Sequence, residues 1–195
     1  MALESALEGP RAGRLDRFKR IAKAAGKLAL ELAALCLLAL LFFFRAPQVT
    51  GHSMEPQLLA GDHVLIDTLA FDFSVPAIHV RLHQLARGEV VAFVHGAGDG
   101  KESYVKRVIG VPGDAVAIVG GQVLVNSEPL AEAYVSLRDR ANFTEIVVPT
   151  DSYFVLGDNR GESDDSRAFG PVPRSAITGR ADFVVWPLNR VGRIR

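Results

Sequence analysis

From Leu28 to Phe44 the chain reads LALELAALCLLALLFFF, seventeen residues broken only by Glu31. Few surroundings suit such a run. A bilayer core needs about 20 apolar residues in a helix, and extending the run back to Ile21 brings in only Lys23 and Lys27, whose long side chains can snorkel to the interface. A helix buried in a soluble protein is the rival reading, but the closing triple Phe and the seven basic residues ahead of the run mark a membrane boundary. A cleaved leader would need small residues at A-x-A spacing just past the run, and Phe44, Arg45, Ala46 and Pro47 do not provide them. The sequence therefore predicts a retained transmembrane anchor over 28–44. Arg11, Arg14, Arg17, Lys19, Arg20, Lys23 and Lys27 precede it, and after Arg45 no basic residue follows until Arg81. By the positive-inside rule the basic N-terminus, 1–27, is cytoplasmic, and residues 46–195 lie outside a cell membrane crossed once. Glu31 requires a place near the cytoplasmic interface or a partner helix.

The net charge of zero hides a split. Residues 1–45 carry eight basic and four acidic side chains, and residues 46–195 carry fourteen and eighteen. With 195 residues and 49% hydrophobic content, the chain has room for one domain and an appendage, and neither a nucleic-acid binder nor a disordered acidic protein fits it. Cys36 is the only cysteine and lies in the apolar run, which excludes a disulfide framework and a cysteine-based zinc site.

Beyond the anchor the apolar runs shorten and fill with Val and Ile: 63–66, 89–94, 104–111, 114–119, 122–125, 145–148, 152–156 and 182–186. Turn signals such as Pro112-Gly113, Gly120-Gly121 and Gly157-Asp158-Asn159 separate them, which predicts a mainly β, antiparallel domain. QVLVNSEPL reads as a hairpin with DAVAIV, residues 71–87 remain unassigned, and Trp186 reads as a core residue.

Three segments carry candidate chemistry. The first is Gly51-His52-Ser53-Met54-Glu55-Pro56, which begins seven residues past Phe44. The second is Tyr104-Val105-Lys106-Arg107-Val108-Ile109-Gly110, where one of the domain's two lysines sits in an otherwise apolar strand. Lys106 and Arg107 must point to opposite faces. If Lys106 points inward, desolvation favours its neutral amine, which can then accept a serine proton without a histidine. The third is the polar run from Gly157 to Arg167, whose spacing does not suit an EF-hand and better suits a supporting loop. There Asp165 and Arg167 can pair with each other or with Arg107, and Ser163 can orient an amine.

Together, GHSMEP with GDHVLID, RGEVVAF, YVKRVIGVPGD and GDNRGESDDSRAFGPV resemble the type I signal peptidase family, across most of residues 51–172. The resemblance implies a membrane-anchored serine endopeptidase that removes signal peptides from exported preproteins after small residues at −1 and −3. It implies Ser53 as nucleophile, Lys106 as general base and Ser163 as a hydrogen-bonding partner of that lysine. Asp158, Asp165, Arg107 and Arg167 become structural supports, and Val49 and Val105 help line the substrate pockets. No metal or cofactor is implied, and the exported part, short for the family, implies a minimal antiparallel β catalytic core with a small non-catalytic β insertion at about 115–150. The expected partners are preproteins and the lipid bilayer, without nucleic acid, and the expected state is a monomer in a bacterial plasma membrane.

Two positions depart from the pattern. Gly51 stands where some members have a serine whose hydroxyl helps hold the oxyanion, and Gln57 stands where threonine is usual. His52 offers a Ser-His alternative, yet neighbours on an extended chain point oppositely, so His52, His63, His79, His83 and His95 are assigned to surface or packing roles. From another class, a catalytically silent anchored β domain that binds exported chains remains the alternative. A self-cleaving repressor-type protease is disfavoured by the anchor.

Overall fold

The computed structural model describes residues 9–68, 73–75, 78–80, 84–96, 98–100 and 102–195, and the chain divides into two compact units, Met1–Phe42 and Phe43–Arg195. The first unit is built on one helix, α1 (Gly9–Phe43). Its Ala, Leu, Lys and Arg content favours helix, Pro10 sits in the first turn where its missing N–H costs nothing, and Pro47 follows shortly after the end. Lys27 and Glu31 pair across one turn at 3.8 Å, so Glu31 has a partner within its own helix. Among the described residues no helix is long and apolar enough to cross a membrane. The stretch expected as an anchor is helical as far as Phe43, with Glu31 its one charged residue and Phe44 already in the first strand.

The second unit is antiparallel β. Its larger sheet runs in the order β1 (Phe44–Arg45), β2 (His63–Asp67), β13 (Ile177–Trp186), β5 (Val90–His95), β6 (Glu102–Gly110), β11 (Ser152–Leu156) and β12 (Val172–Pro173), with β14 (Gly192–Arg193) also paired to β13. A smaller sheet has the order β10 (Phe143–Val147), β7 (Ala115–Val119), β8 (Gln122–Val125) and β9 (Glu128–Pro129). The β7–β8 hairpin turns at Gly120 and Gly121, both at positive φ as mirror-image hairpin turns require. In the stretch left unassigned from sequence, β3 (Phe73–Val75) pairs with β4 (Ile78–Val80).

Alternation explains most strands. In β2 only Val64 and Ile66 are buried, in β7 Val116 and Ile118, and in β8 Val123 and Val125. Strand β6 behaves differently, because residues 106–110 are all buried. One face meets a core cluster with Val91, Phe93, Val108 and Val155, while Ile109 joins Phe154 and Leu156 under the small sheet. At Gly110 a Cβ would come within 2.6 Å of Val116 Cγ2, so the small sheet packs directly on this strand's backbone. Trp186 is exposed at the end of β13, contrary to its reading as core, because the strand runs out beyond the sheet's packed centre there.

Candidate active site

The segment 52–57 is a tight turn pinned on one side by apolar plugs. Met54 and Leu58 are both buried in the cluster with Val64, Ile66, Val90 and Ala92, and the Leu58 N–H donates to the Met54 carbonyl at 2.9 Å. On its other side the turn is held by Asn159, whose backbone N–H donates to the Ser53 carbonyl at 3.0 Å and whose side-chain amide reaches the His52 carbonyl at 3.3 Å. The Ser53 hydroxyl is left half-buried between these anchors.

Lys106, on β6, brings its Nζ to 2.6 Å from Ser53 Oγ. The residue is 3% exposed, and the Tyr104 ring lies 5.4 Å from the nitrogen. Burial pushes its ammonium below the ordinary lysine range; the carboxylates of Asp165, Asp164 and Asp158 pull the other way, and Arg167 adds a smaller push downward. Tyr104 itself stacks on Phe93 at 5.6 Å. A serine hydroxyl beside an amine with an enlarged neutral fraction can transfer its proton and act as a nucleophile. Lys101, the domain's other lysine, lies outside the described residues.

Arg107, next along the strand, is 1% exposed and faces the opposite way. Its guanidinium forks onto Asp158 at 2.8 and 2.6 Å, donates to the Gly88 carbonyl at 2.7 Å and lies 4.1 Å from the centre of the Tyr134 ring. The alternation expected for this pair holds, but neither face is open to solvent. Asp165 caps the short helix α2 (Ser166–Phe169) through the Arg167 N–H, pairs with the Arg167 side chain at 2.8 Å and accepts the Gly157 N–H at 3.1 Å. Thus Asp158 secures β6 to the loop, and Asp165 with Arg167 secures the loop to itself.

Ser163 departs from expectation. Its hydroxyl is buried with no hydrogen-bond partner among the described residues, so it does not bond to Lys106. The oxygen is packed against Gly157 instead, where a Cβ would fall 2.2 Å from it and 2.5 Å from the Ser53 carbonyl oxygen. Only glycine at 157 lets the loop approach the serine turn this closely. Val49 and Val105 are half-buried against the cluster that holds Met54. The His52 imidazole is exposed and bonded to Glu55 at 2.8 Å, which raises its pKa and engages it away from Ser53. The side chains of His79 and His83 lie outside the described residues.

The sequence assigns no role to Asn159 and Arg160 within the polar run. Arg160 is buried, donates from Nε to the Gly157 carbonyl at 3.0 Å and forks onto buried Glu132. A long basic residue inside an apolar-bounded loop was the available signal for it; Glu132, twenty-eight residues away, gave none.

A profile of the family described as "Signal peptidase, peptidase S26" matches residues 22–186. The chain is 36% identical over 160 residues to a signal peptidase I of Leptolyngbya laminosa, spanning 78% of this chain and 74% of that one. It is 37% identical over 155 residues to the probable signal peptidase I-2 of a Synechocystis strain, spanning 77% and 67%. Against signal peptidase IB of Staphylococcus aureus it is 33% identical over 159 residues, spanning 72% and 77%. With most of its length matched by that profile and by these relatives, the chain belongs to the signal peptidase family, peptidase S26.

Proposed function

We propose that this signal peptidase cuts preproteins with a Ser53–Lys106 pair while held to a membrane by residues 28–44. Removal of signal peptides by a serine peptidase is the activity of the family; the assignment of roles to residues is our reading. The observation that carries it is the 2.6 Å contact between Lys106 Nζ and Ser53 Oγ, made by a lysine that burial favours in its neutral form.

An extended signal-peptide segment pairs with a strand edge by main-chain hydrogen bonds, and its small −1 and −3 side chains enter pockets to which Val49 and Val105 contribute. Ser53 Oγ attacks the scissile carbonyl carbon as its proton passes to Lys106 Nζ. The Ser53 N–H stabilises the oxyanion. As the C–N bond breaks, the Lys106 ammonium returns the proton to the departing amine, which is the new N-terminus of the mature protein. Water then attacks the acyl ester, giving a proton to Lys106; as the ester C–O bond breaks, the Lys106 ammonium returns that proton to Ser53 Oγ and the signal peptide leaves as a carboxylic acid.

The anchor reading rests on the length of the 28–44 run and on the basic residues clustered ahead of it. It puts the β unit at the outer face of a plasma membrane, where preproteins emerge, and the enzyme works as a monomer. The test is cleavage of a preprotein by full-length, detergent-solubilised enzyme, with mass spectrometry of the new N-terminus and with Ser53→Ala and Lys106→Met in parallel. Cleavage after a small-x-small sequence that vanishes in both variants is expected. Full-rate cleavage by Lys106→Met would overturn the base assignment, and an inert wild type would favour a silent binding domain.

A further inference from the structure

The segment 130–142, between β9 and β10 of the small sheet, belongs to what the sequence marked as a non-catalytic insertion. Three of its side chains nevertheless each meet one of the three arginines around the candidate site. Glu132 takes Arg160 through two hydrogen bonds, with the two residues 6% and 3% exposed. Tyr134 places its ring under the Arg107 guanidinium at 4.1 Å, and its hydroxyl reaches Glu132 at 3.4 Å. Asp139 accepts from Arg167 Nη1.

The segment is itself fixed at its far end. The Gly121 N–H donates to the Ala141 carbonyl at 2.9 Å, the Gly120 N–H to Asn142 Oδ1 at 2.7 Å, and a Cβ at Gly121 would collide with the Asp139 carbonyl. The β7–β8 hairpin therefore serves as the foundation of the segment. From Glu132 a continuous path leads to the serine: Arg160 is gripped by Glu132, Arg160 Nε holds the Gly157 carbonyl, and the adjacent Asn159 donates from backbone and side chain to the Ser53 and His52 carbonyls. Buried charged hydrogen bonds are strong and directional, so the Glu132–Arg160 and Arg160–Gly157 links resist sliding, and the two Asn159 bonds pass that hold on to the turn.

We propose that Glu132 is a positioning residue for catalysis, which acts through Arg160 and Asn159 to hold the Ser53 turn at hydrogen-bonding distance from Lys106. The small sheet is then a brace for the reaction. This rests on the reading of Ser53 as the nucleophile. Losing the brace lets the serine move relative to the amine, which slows acylation, but leaves the strand edge and pockets that bind the peptide in place.

The experiment compares Glu132→Gln, the paired replacement Glu132→Met with Arg160→Met, and Phe143→Ala in the full-length enzyme. Thermal stability, kcat and KM for preprotein cleavage are measured, with Ser53→Ala as the reference for background. Phe143, in the same sheet, packs on Phe154 at 5.3 Å within the apolar cluster of the small sheet, so it reports what loosening the sheet does by itself. Glu132→Gln is expected to lower kcat by about ten- to a hundredfold, the scale of a misplacement near 1 Å, with KM changed less than about twofold.

The double Met variant removes both buried charges and keeps the volume filled, so it holds its fold even where Glu132→Gln does not, and it should show the same kcat loss. Phe143→Ala should lower thermal stability with kcat close to wild type. A folded Glu132→Gln or double Met variant with wild-type kcat would overturn the brace alone. So would a Phe143→Ala variant that loses as much kcat as Glu132→Gln. Cleavage by Ser53→Ala at the wild-type rate would instead remove the nucleophile assignment on which the brace depends.

Discussion

Lys106 and Arg107 are neighbours on one strand, both almost fully buried, and the two faces of β6 treat their charges in opposite ways. Around Arg107 the protein supplies a bidentate carboxylate, a carbonyl and an aromatic face, all within contact distance. Around Lys106 it supplies a serine hydroxyl and a tyrosine ring, and the carboxylates of Asp158, Asp164 and Asp165 act only through space. A buried cation given full compensation stays charged and ties elements together. A buried cation given too little leans toward its neutral form and becomes a base. The contrast lies in partners, since depth of burial is nearly the same.

The sharpest way to break this comparison is to make Lys106 resemble its neighbour. Lys106→Arg keeps a long cation but one that does not deprotonate in a protein, so preprotein cleavage should fall by about 10³- to 10⁴-fold, as with Lys106→Met. Of the two, Lys106→Met should be at least as stable as wild type in thermal unfolding, because it removes a poorly compensated buried amine. Retained activity in Lys106→Arg would mean that the lysine acts by charge and not as a base.

On the other face the expected loss is in stability. Arg107→Met leaves Asp158 buried without its partner, and breaking such a pair costs about 3–5 kcal/mol. Chemical denaturation should show that loss, and activity at low temperature should suffer only in so far as the loop moves. Equal stability of Arg107→Met and wild type would mean that the Asp158 pair compensates its own desolvation poorly and that the contrast between the faces is smaller than the geometry implies.

The lowered Lys106 pKa also fixes the direction of two pH effects. With Lys106 as the proposed base, cleavage requires its neutral amine, so kcat/KM should rise with pH on a limb whose midpoint lies below the ordinary lysine value. For stability, the folded state releases the Lys106 proton at lower pH than the unfolded chain does. The unfolded state therefore binds more protons between the lowered and the ordinary value, and stability attributable to this group increases as pH rises through that window. Unfolding of Lys106→Met should lack that increment. A cleavage limb that sits at the ordinary lysine value would show an amine no less solvated than one in water.

These tests also show which parts of the molecule the sequence made legible. Alternating Val and Ile with glycine turns was enough to place β2, β7 and β8, because each has one wet and one dry face. In β6 that rule fails, since a core cluster covers one face and the small sheet the other, and no local pattern announces double burial. Ser53 and Lys106 were legible because a lone lysine in an apolar strand is unusual and the surrounding motifs resemble a family. The Ser163 bond to Lys106 was not realised, because the close approach of the loop at Gly157 turns that hydroxyl into a packing contact. Glu132, Tyr134 and Asp139 were invisible for another reason: their partners lie more than twenty residues away, Arg107 on β6 and Arg160 and Arg167 in the polar loop and α2, and nothing in their own neighbourhood encodes it.

The smallest effect concerns the oxyanion. Gly51 stands where some relatives place a serine, and a Cβ built there has nothing within 4 Å. Its backbone is outside the left-handed region, so an L residue fits without strain. Gly51→Ser adds a hydroxyl two residues before Ser53 and close to where the Ser53 N–H would meet a developing negative charge. A full oxyanion donor is worth about 10²- to 10³-fold in rate, and a freely rotating hydroxyl on an exposed turn should deliver only a fraction of that. An increase in kcat of about two- to tenfold at unchanged KM is the expected result, measured on the same preprotein. Unchanged kcat would mean that another group already fills the donor position, and the contrast between the two faces of β6 would then account for more of the catalysis than the turn in front of it.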